Sequence, residues 1–330
     1  PAGEYMLTLT DDVEDLFGNP LDGDYDGHAG GNFRRPFYVG ELLITGSQPG
    51  DPGDDDDGDG EIEDDPIFDN NLYDQRDPAI ATSADGNYVI VGVSDGTATD
   101  VPYDDPANAL YSQSNIVARR YDRYGNPLSS EFVVNSFLEN DQESPDIAMD
   151  EYGNFVIVWA GEGELDSQAV YARVFDPYGV PLTGQIRVHE EREGPQWNPT
   201  VGMDSSGNFT VVWQEYVVGR SQELVGRQFS FRGEPLGDQF PINTYIDGNQ
   251  LDPDIAMAGD GDFTVVWTSS NQDSYEWGIY GQRFDQDAAM VGEEFRVNQV
   301  EDGTQTHSAV AMDIDGDFVV TWTSDKQDGS

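Results

Sequence analysis

With 330 residues, 65 acidic against 15 basic side chains and a formal net charge of −50, the chain repels nucleic acid and anionic membrane surfaces and attracts cations. Aromatic residues make up 12% of it, too many for a disordered acidic tail. It contains no cysteine, so disulfides and thiol chemistry are excluded, and no apolar run approaches the ~20 residues that cross a bilayer.

Residues 1–44 stand apart from the rest. Tyr5, Leu7 and Leu9 alternate with Met6, Thr8 and Thr10, the two-residue period of a strand, and PFYVGELLI (Pro36 to Ile44) supplies a second extended piece. Between them Asp22, Asp24 and Asp26 precede Gly27, matching the opening of a D-x-D-x-D-G calcium loop, in which alternate carboxylates converge on one hard cation. The twelfth position would be Phe33, so the bidentate Glu is missing, and an ordinary acidic turn accounts for the same residues.

Residues 45–66 read as an extended acidic linker, because a dense run of like charge without apolar residues cannot bury a core. Asp55, Asp57 and Asp59 before Gly60 repeat the calcium spacing there. In so acidic a tract that spacing also arises by chance.

From residue 67 to residue 330 the chain repeats itself. QESPDIAMDEYGNFVIVW begins at Gln142; similar stretches begin at Gln75, Gln196, Gln250 and Gln305, at spacings of 67, 54, 54 and 55 residues. A fixed period of this size marks a repeat architecture. In the second copy Ile147 and Met149 predict a first strand, Asp150 to Asn154 a hairpin turn, Phe155–Trp159 a second strand, Val170–Phe175 a third and Ile186–His189 a fourth. The second strand is apolar on both faces and must lie between two layers. Four short antiparallel strands in about 54 residues predict a β-propeller blade. The competing arrangement, a tandem of small sandwiches, leaves each unit too small to bury its own Trp and Phe. The chain begins at Pro1 and stops at Ser330 inside a fifth copy, so it is expected to be a piece of something longer, with about four and a half blades.

Two resemblances accompany this periodicity. GEYMLTLTDDVEDLFGNPLDGD resembles the C-terminal part of bacterial immunoglobulin-like domains of large secreted proteins, which implies a partial β-sandwich over residues 1–44. Trp159, Trp213, Trp267 and Trp322, with GNPL, GVPL and GEPL at Gly125, Gly179 and Gly233 and the strand ends Asn135, Asn243 and Asn298, resemble a repeat common in giant secreted proteins of marine bacteria. In the first copy Gly92 stands where Trp is expected and a longer loop follows. The resemblance implies an extracellular or cell-surface setting, adhesion or display, and no reaction.

The recurrent Gln75, Gln142, Gln196, Gln250 and Gln305 are expected to tie one blade to the backbone of the next, and Arg119, Arg173 and Arg227 to pair with the chain's own carboxylates. Trp197 and Trp277 fall out of phase, in predicted loops, where an indole can stack on sugar or anchor a partner; packing over a blade edge is the favoured account of them. No His pair at metal spacing, G-x-S-x-G, H-E-x-x-H or P-loop is present,. The expectation is therefore a non-enzymatic scaffold stiffened by calcium, with an extracellular glycan or protein as partner, no nucleic acid and no membrane insertion. The second reading is a propeller enzyme or carbohydrate-binding module acting on extracellular polysaccharide. An enzyme would bring carboxylates from different blades together.

Overall fold

The computed structural model describes residues 3–9, 33–39, 75–95, 114–138, 140–163, 168–190, 194–217, 221–272 and 277–325, and the chain divides into two units, Pro1–Ile67 and Phe68–Ser330. In the first unit β1 (Gly3–Leu9) and β2 (Phe33–Val39) form an antiparallel ribbon with Tyr5 opposite Phe37. A two-stranded ribbon occurs in many β folds and does not single out an immunoglobulin-like sandwich. The acidic linker lies outside the described residues.

The second unit is a β-propeller architecture without a helix among its described residues. Its first sheet is β3 (Gln75–Thr82), β4 (Tyr88–Asp95), β5 (Ser114–Tyr121) and β6 (Phe132–Val133). The second is β7 (Gln142–Met149), β8 (Phe155–Gly161), β9 (Ala169–Phe175) and β10 (Ile186–Arg187). The third is β11 (Gln196–Met203), β12 (Phe209–Tyr216), β13 (Gln222–Phe229) and β14 (Phe240–Pro241). The fourth is β15 (Gln250–Met257), β16 (Phe263–Ser270), β17 (Trp277–Phe284) and β18 (Met290–Arg296), and the fifth consists of β19 (Gln305–Met312) and β20 (Phe318–Ser324). Every neighbouring pair of strands is antiparallel. The first strands of successive sheets pack on one another, β3 on β7, β7 on β11, β11 on β15 and β15 on β19, which makes them the inner strands.

The doubly apolar second strand behaves as its composition demands. Phe155, Ile157 and Trp159 face the first sheet, in one core with Val91 and Ile116, whereas Val156 and Val158 face the third, in another with Val211 and Trp213. A third core joins Val212 and Leu224 to Phe263 and Trp267. Trp159, Trp213 and Trp267 are fully buried, each worth on the order of 2–3 kcal/mol of apolar burial. No single sheet could enclose them. Where a covering layer is missing the pattern reverses: Ile80 on the first sheet is 58% exposed and Val319 on the fifth is 62% exposed.

The hairpins follow their turn chemistry. Asp150 Oδ1 accepts the main-chain N–H of Tyr152 and of Asn154, both at 2.9 Å, and Gly153 sits at φ +88°, a conformation a side chain would resist. Asn135, Asn243 and Asn298 each accept from a third strand, at Ile116, Leu224 and Ile279 respectively, at 2.8–2.9 Å.

Two expectations about the ties need correction. Gln142 Oε1 accepts from the indole N–H of Trp159 at 3.0 Å, and Gln250 from Trp267 at 2.9 Å, while the Gln142 amide donates to Asn140 and Glu162 main-chain carbonyls. The glutamines therefore hold their own sheet, because a fully buried indole needs an acceptor. The arginines, by contrast, do reach between sheets. Arg173 donates to the carbonyl of Val134 at 2.8 Å and Arg227 to that of Val188 at 3.1 Å, each reaching the outer edge of the preceding sheet. Their guanidinium carbons lie 5.5 and 5.6 Å from the rings of Phe175 and Phe229, and Arg227 also pairs with Glu190 at 3.6 Å. The expected carboxylate is thus met at Arg227, and the planar guanidinium forks to main-chain carbonyls as well,.

Candidate functional site

The inner strands carry the unusual chemistry. Two residues after each recurrent Gln, the backbone is left-handed at a residue that is not Gly: Asp77 (φ 53°), Ser144 (52°), Asn198 (42°), Asp252 (49°) and His307 (54°). Each sits in a break of register between first and second strands. Side chains rarely adopt that conformation, and β-bulges that re-aim a side chain gather beside functional sites. Four of the five precede a proline, Pro78, Pro145, Pro199 or Pro253. Proline provides no N–H, so it suits a place where the ladder is interrupted.

These residues are linked across sheets. Ser144 Oγ donates to Asn198 Oδ1 at 3.4 Å, and Asn198 Nδ2 donates to Asp252 Oδ1 at 3.2 Å and to Gln214 Oε1 at 2.9 Å. Gln214 Oε1 also accepts the main-chain N–H of Asp252 at 2.9 Å. A polar row thus runs from the second to the fourth sheet in steps of one repeat.

A second row lies two residues further along. Thr200 Oγ1 is 2.8 Å from Asp146 Oδ2 and 3.3 Å from Asp254 Oδ1. The two carboxyls, from the second and fourth sheets, are one hydroxyl apart. Asp146 Oδ2 further accepts the N–H of Val201 at 2.9 Å, and Asp254 Oδ2 that of Val310 at 2.7 Å. Both carboxyls are half-buried, between buried neighbours such as Pro145 and Ile147.

Burial pushes the Asp146 carboxyl up, against hydrogen bonds from Thr200, Val201 and Ile147 that favour its charged form. Burial likewise pushes Asp254 up, to about 6, with the charge of Asp146 adding to the rise. A single hydroxyl hydrogen cannot serve both carboxylates. The row is satisfied when one carboxyl holds a proton and donates to Thr200, while Thr200 donates to the other. That arrangement is a proton-holding acid beside an ionised base.

Of the residues singled out by sequence, Asp22, Asp24, Asp26, Asp55, Asp57 and Asp59 lie outside the described residues. Among the described residues no group of three or more His, Asp or Glu is placed to hold a metal ion. Trp197 and Trp277 are strand residues rather than loop residues: Trp197 is the second residue of β11, opposite Gln214, and Trp277 opens β17, opposite Ser270. Both are half-buried; Trp197 adjoins the inner polar row through its neighbour Asn198 and its partner Gln214. Sequence reasoning missed Asp146, Thr200 and Asp254. The available signal was their shared place four residues after a recurrent Gln, polar in the three middle copies and Ala79 or Ala309 in the outer two.

No protein family and no curated protein matches the chain. Solved structures do match. The GH93 α-L-arabinofuranosidase of Fusarium graminearum, in complex with arabinobiose, superposes with a TM-score of 0.52 at 13% identity over 77% of each chain. An α-L-arabinanase of Penicillium chrysogenum, also with arabinobiose, gives 0.50 at 12% identity over 75% of this chain and 74% of that one. A Hadza microbial sialidase gives 0.50 at 12% identity, with 76% and 54% covered. At such identities the likeness shows the propeller fold alone.

It nevertheless overturns the expectation of a non-enzymatic adhesive scaffold. That expectation took a repeat propeller to carry no reaction, whereas the matched propellers are named glycosidases. The physical reason lies in the inner strands, where carboxyls from different sheets meet, which a display scaffold does not require.

Proposed function

We propose that the chain is the propeller of a glycoside-cleaving protein acting on a neutral extracellular polysaccharide, with Asp254 and Asp146 as its acid and base. The observation that carries this reading is the meeting of two carboxyls from different sheets on one hydroxyl, with burial pushing both of them above the ordinary carboxyl range. In the reaction the glycosidic C–O bond breaks; Asp254 donates its proton to the departing oxygen and Asp146 takes one from the attacking water. Thr200 holds the two in register. The left-handed Ser144, Asn198 and Asp252 lie two residues away along the same strands and offer donors and acceptors to sugar hydroxyls.

Charge supports a neutral substrate, since a surface at −50 repels polyanionic glycans. The extracellular setting rests on the resemblance of the repeat to those of secreted proteins. Arabinan is the first substrate to try, because two of the matched structures hold arabinobiose. The test is release of reducing ends from arabinan, xylan and laminarin by the wild-type chain, D146N and D254N. Cleavage of one polymer by the wild type and loss in both variants supports the assignment. Equal cleavage by all three proteins refutes it.

A further inference from the structure

The start of the third inner strand differs from the other four. Trp197 is the second residue of β11 and pairs with Gln214. Residues paired across two strands share a face of the sheet. Gln214 shows which face this is, because its Oε1 accepts the main-chain N–H of Asp252 on the fourth sheet. Tyr216, two residues beyond Gln214 on β12, falls on the same face by the strand period,. Its main-chain N–H donates to the carbonyl of Pro195 at 3.4 Å. Trp197 and Tyr216 are thus diagonal neighbours at the end of the junction between the third and fourth sheets, a separation that aromatic side chains span.

Neither ring belongs to a core. Trp197 is half-buried and Tyr216 is 43% exposed, whereas Trp159, Trp213 and Trp267 are fully buried. The indoles of Trp159 and Trp267 have a Gln acceptor. Among the described residues the indole N–H of Trp197 and the hydroxyl of Tyr216 have no partner. Packing of the sheets does not call for rings at these places. In the other sheets Arg76, Glu143, Leu251 and Thr306 stand where Trp197 does, and Asp95, Glu162, Ser270 and Asp325 where Tyr216 does. A carboxylate stands beside the pair. Asn198, which follows Trp197, donates to Oδ1 of Asp252 at 3.2 Å, and Oδ2 of Asp252 has no partner among the described residues.

Thr200, which joins the Asp146 and Asp254 carboxyls, lies three places after Trp197 on the same strand, roughly 10 Å along it. An accessible aromatic face with a free N–H, beside a free carboxylate oxygen, suits a sugar unit. Its C–H face packs on the rings, one hydroxyl accepts from the indole and another donates to Asp252. The same carboxylate disfavours an anionic ligand. We infer that Trp197 and Tyr216 form a positioning subsite for a sugar of the neutral polysaccharide, on the same polymer strand as the bond brought to Asp146 and Asp254. A unit held there fixes the polymer along β11 and sets which bond meets the two carboxyls. The choice of ligand rests on the polysaccharide reading above; the subsite itself does not depend on the state of Asp254.

Affinity electrophoresis of the D254N chain through gels containing arabinan, xylan or laminarin, with alginate as the polyanion control, reads binding apart from cleavage. At least one neutral polymer is expected to retard D254N, and alginate is expected not to. W197A and Y216A, each added to D254N, should weaken retardation roughly five- to tenfold. W197F keeps a ring and should stay within about threefold of D254N. Y216A changes an exposed side chain and is expected to leave the melting temperature unchanged, so it decides the matter even where W197A unfolds. Y152A, 70% exposed at the hairpin end of the sheets, is expected to bind as D254N does. With Asp254 intact, Y216A should raise KM for the same polymer by a larger factor than it lowers kcat. Failure of every neutral polymer to retard D254N, or undiminished retardation of the Y216A variant, overturns the inference. The two readings separate. Retardation weakened by Y216A with no cleavage by the wild type sustains the subsite and removes the catalytic assignment. Cleavage with the same KM in the wild type and Y216A keeps the assignment and removes the subsite.

Discussion

The hydroxyl of Thr200 lies 2.8 Å from Oδ2 of Asp146, bridging the inner strands of two neighbouring sheets. Because Asp254 stands on the other side of the same hydroxyl, the state of one proton links three sheets. Asp254 has its folded pKa raised to about 6 from an ordinary 3.8. Its protonated form is thus preferred in the fold, and its stabilising contribution is complete below pH ~4 and lost as pH rises through about 6. Stability is expected to decline over that interval. D254N, which has an amide in place of the neutral acid, is expected to flatten the decline. Urea midpoints at pH 4.5, 5.5, 6.5 and 7.5 for the two proteins check this.

Removing the bridge leaves both carboxyls without it. T200V keeps the shape but cannot donate to Asp146, and it is expected to cost about 1–3 kcal/mol. T200S restores the hydroxyl and should recover most of that loss. Equal loss in both variants would point to the methyl group, and packing, rather than to the hydrogen bond.

The stacking of sheets was legible in the sequence because it follows from pattern alone. Phe155, Ile157 and Trp159 alternating with Val156 and Val158 can only be a strand between two layers, and both cores are present. Turn chemistry was legible for the same reason, since Asp150 and Gly153 act on their own neighbours. The site was not. Asp146 and Asp254 are 108 residues apart in the chain, and in so acidic a protein a carboxylate carries no mark of its own. Their convergence depends on the pairing of inner strands between sheets, and their proton on burial. The roles of Gln142 and Arg173 were misplaced for a related reason: residue type shows which groups can bond, while only the packing shows which partner is within reach.

Gln142 provides the third prediction. Its Oε1 is the acceptor for the fully buried Trp159 indole, so Q142L strands an N–H in the core and is expected to cost about 1–3 kcal/mol. W159F, which removes the donor as well, should recover part of the loss in the double variant. Thermal unfolding of the four proteins forms the cycle that separates the hydrogen bond from the volume change.

Arg173 provides the fourth. Its reach to the Val134 carbonyl ties the second sheet to the outer edge of the first. R173M keeps much of the stem and loses the fork, and amide exchange is expected to quicken around Ser136 and Phe137 ahead of the rest of the sheet. Uniform acceleration across all sheets would instead mean that the substitution acts on global stability.

The catalytic assignment of Asp254 is tested most directly by the pH profile of polysaccharide cleavage. Reducing-end release from the best of the neutral polymers should fall as pH rises through about 6, where Asp254 gives up its proton. D254N should be slower by roughly a hundredfold or more at every pH while unfolding at a similar temperature. A D254N protein that cleaves at the wild-type rate, or a wild-type profile that rises through the same interval, contradicts the account.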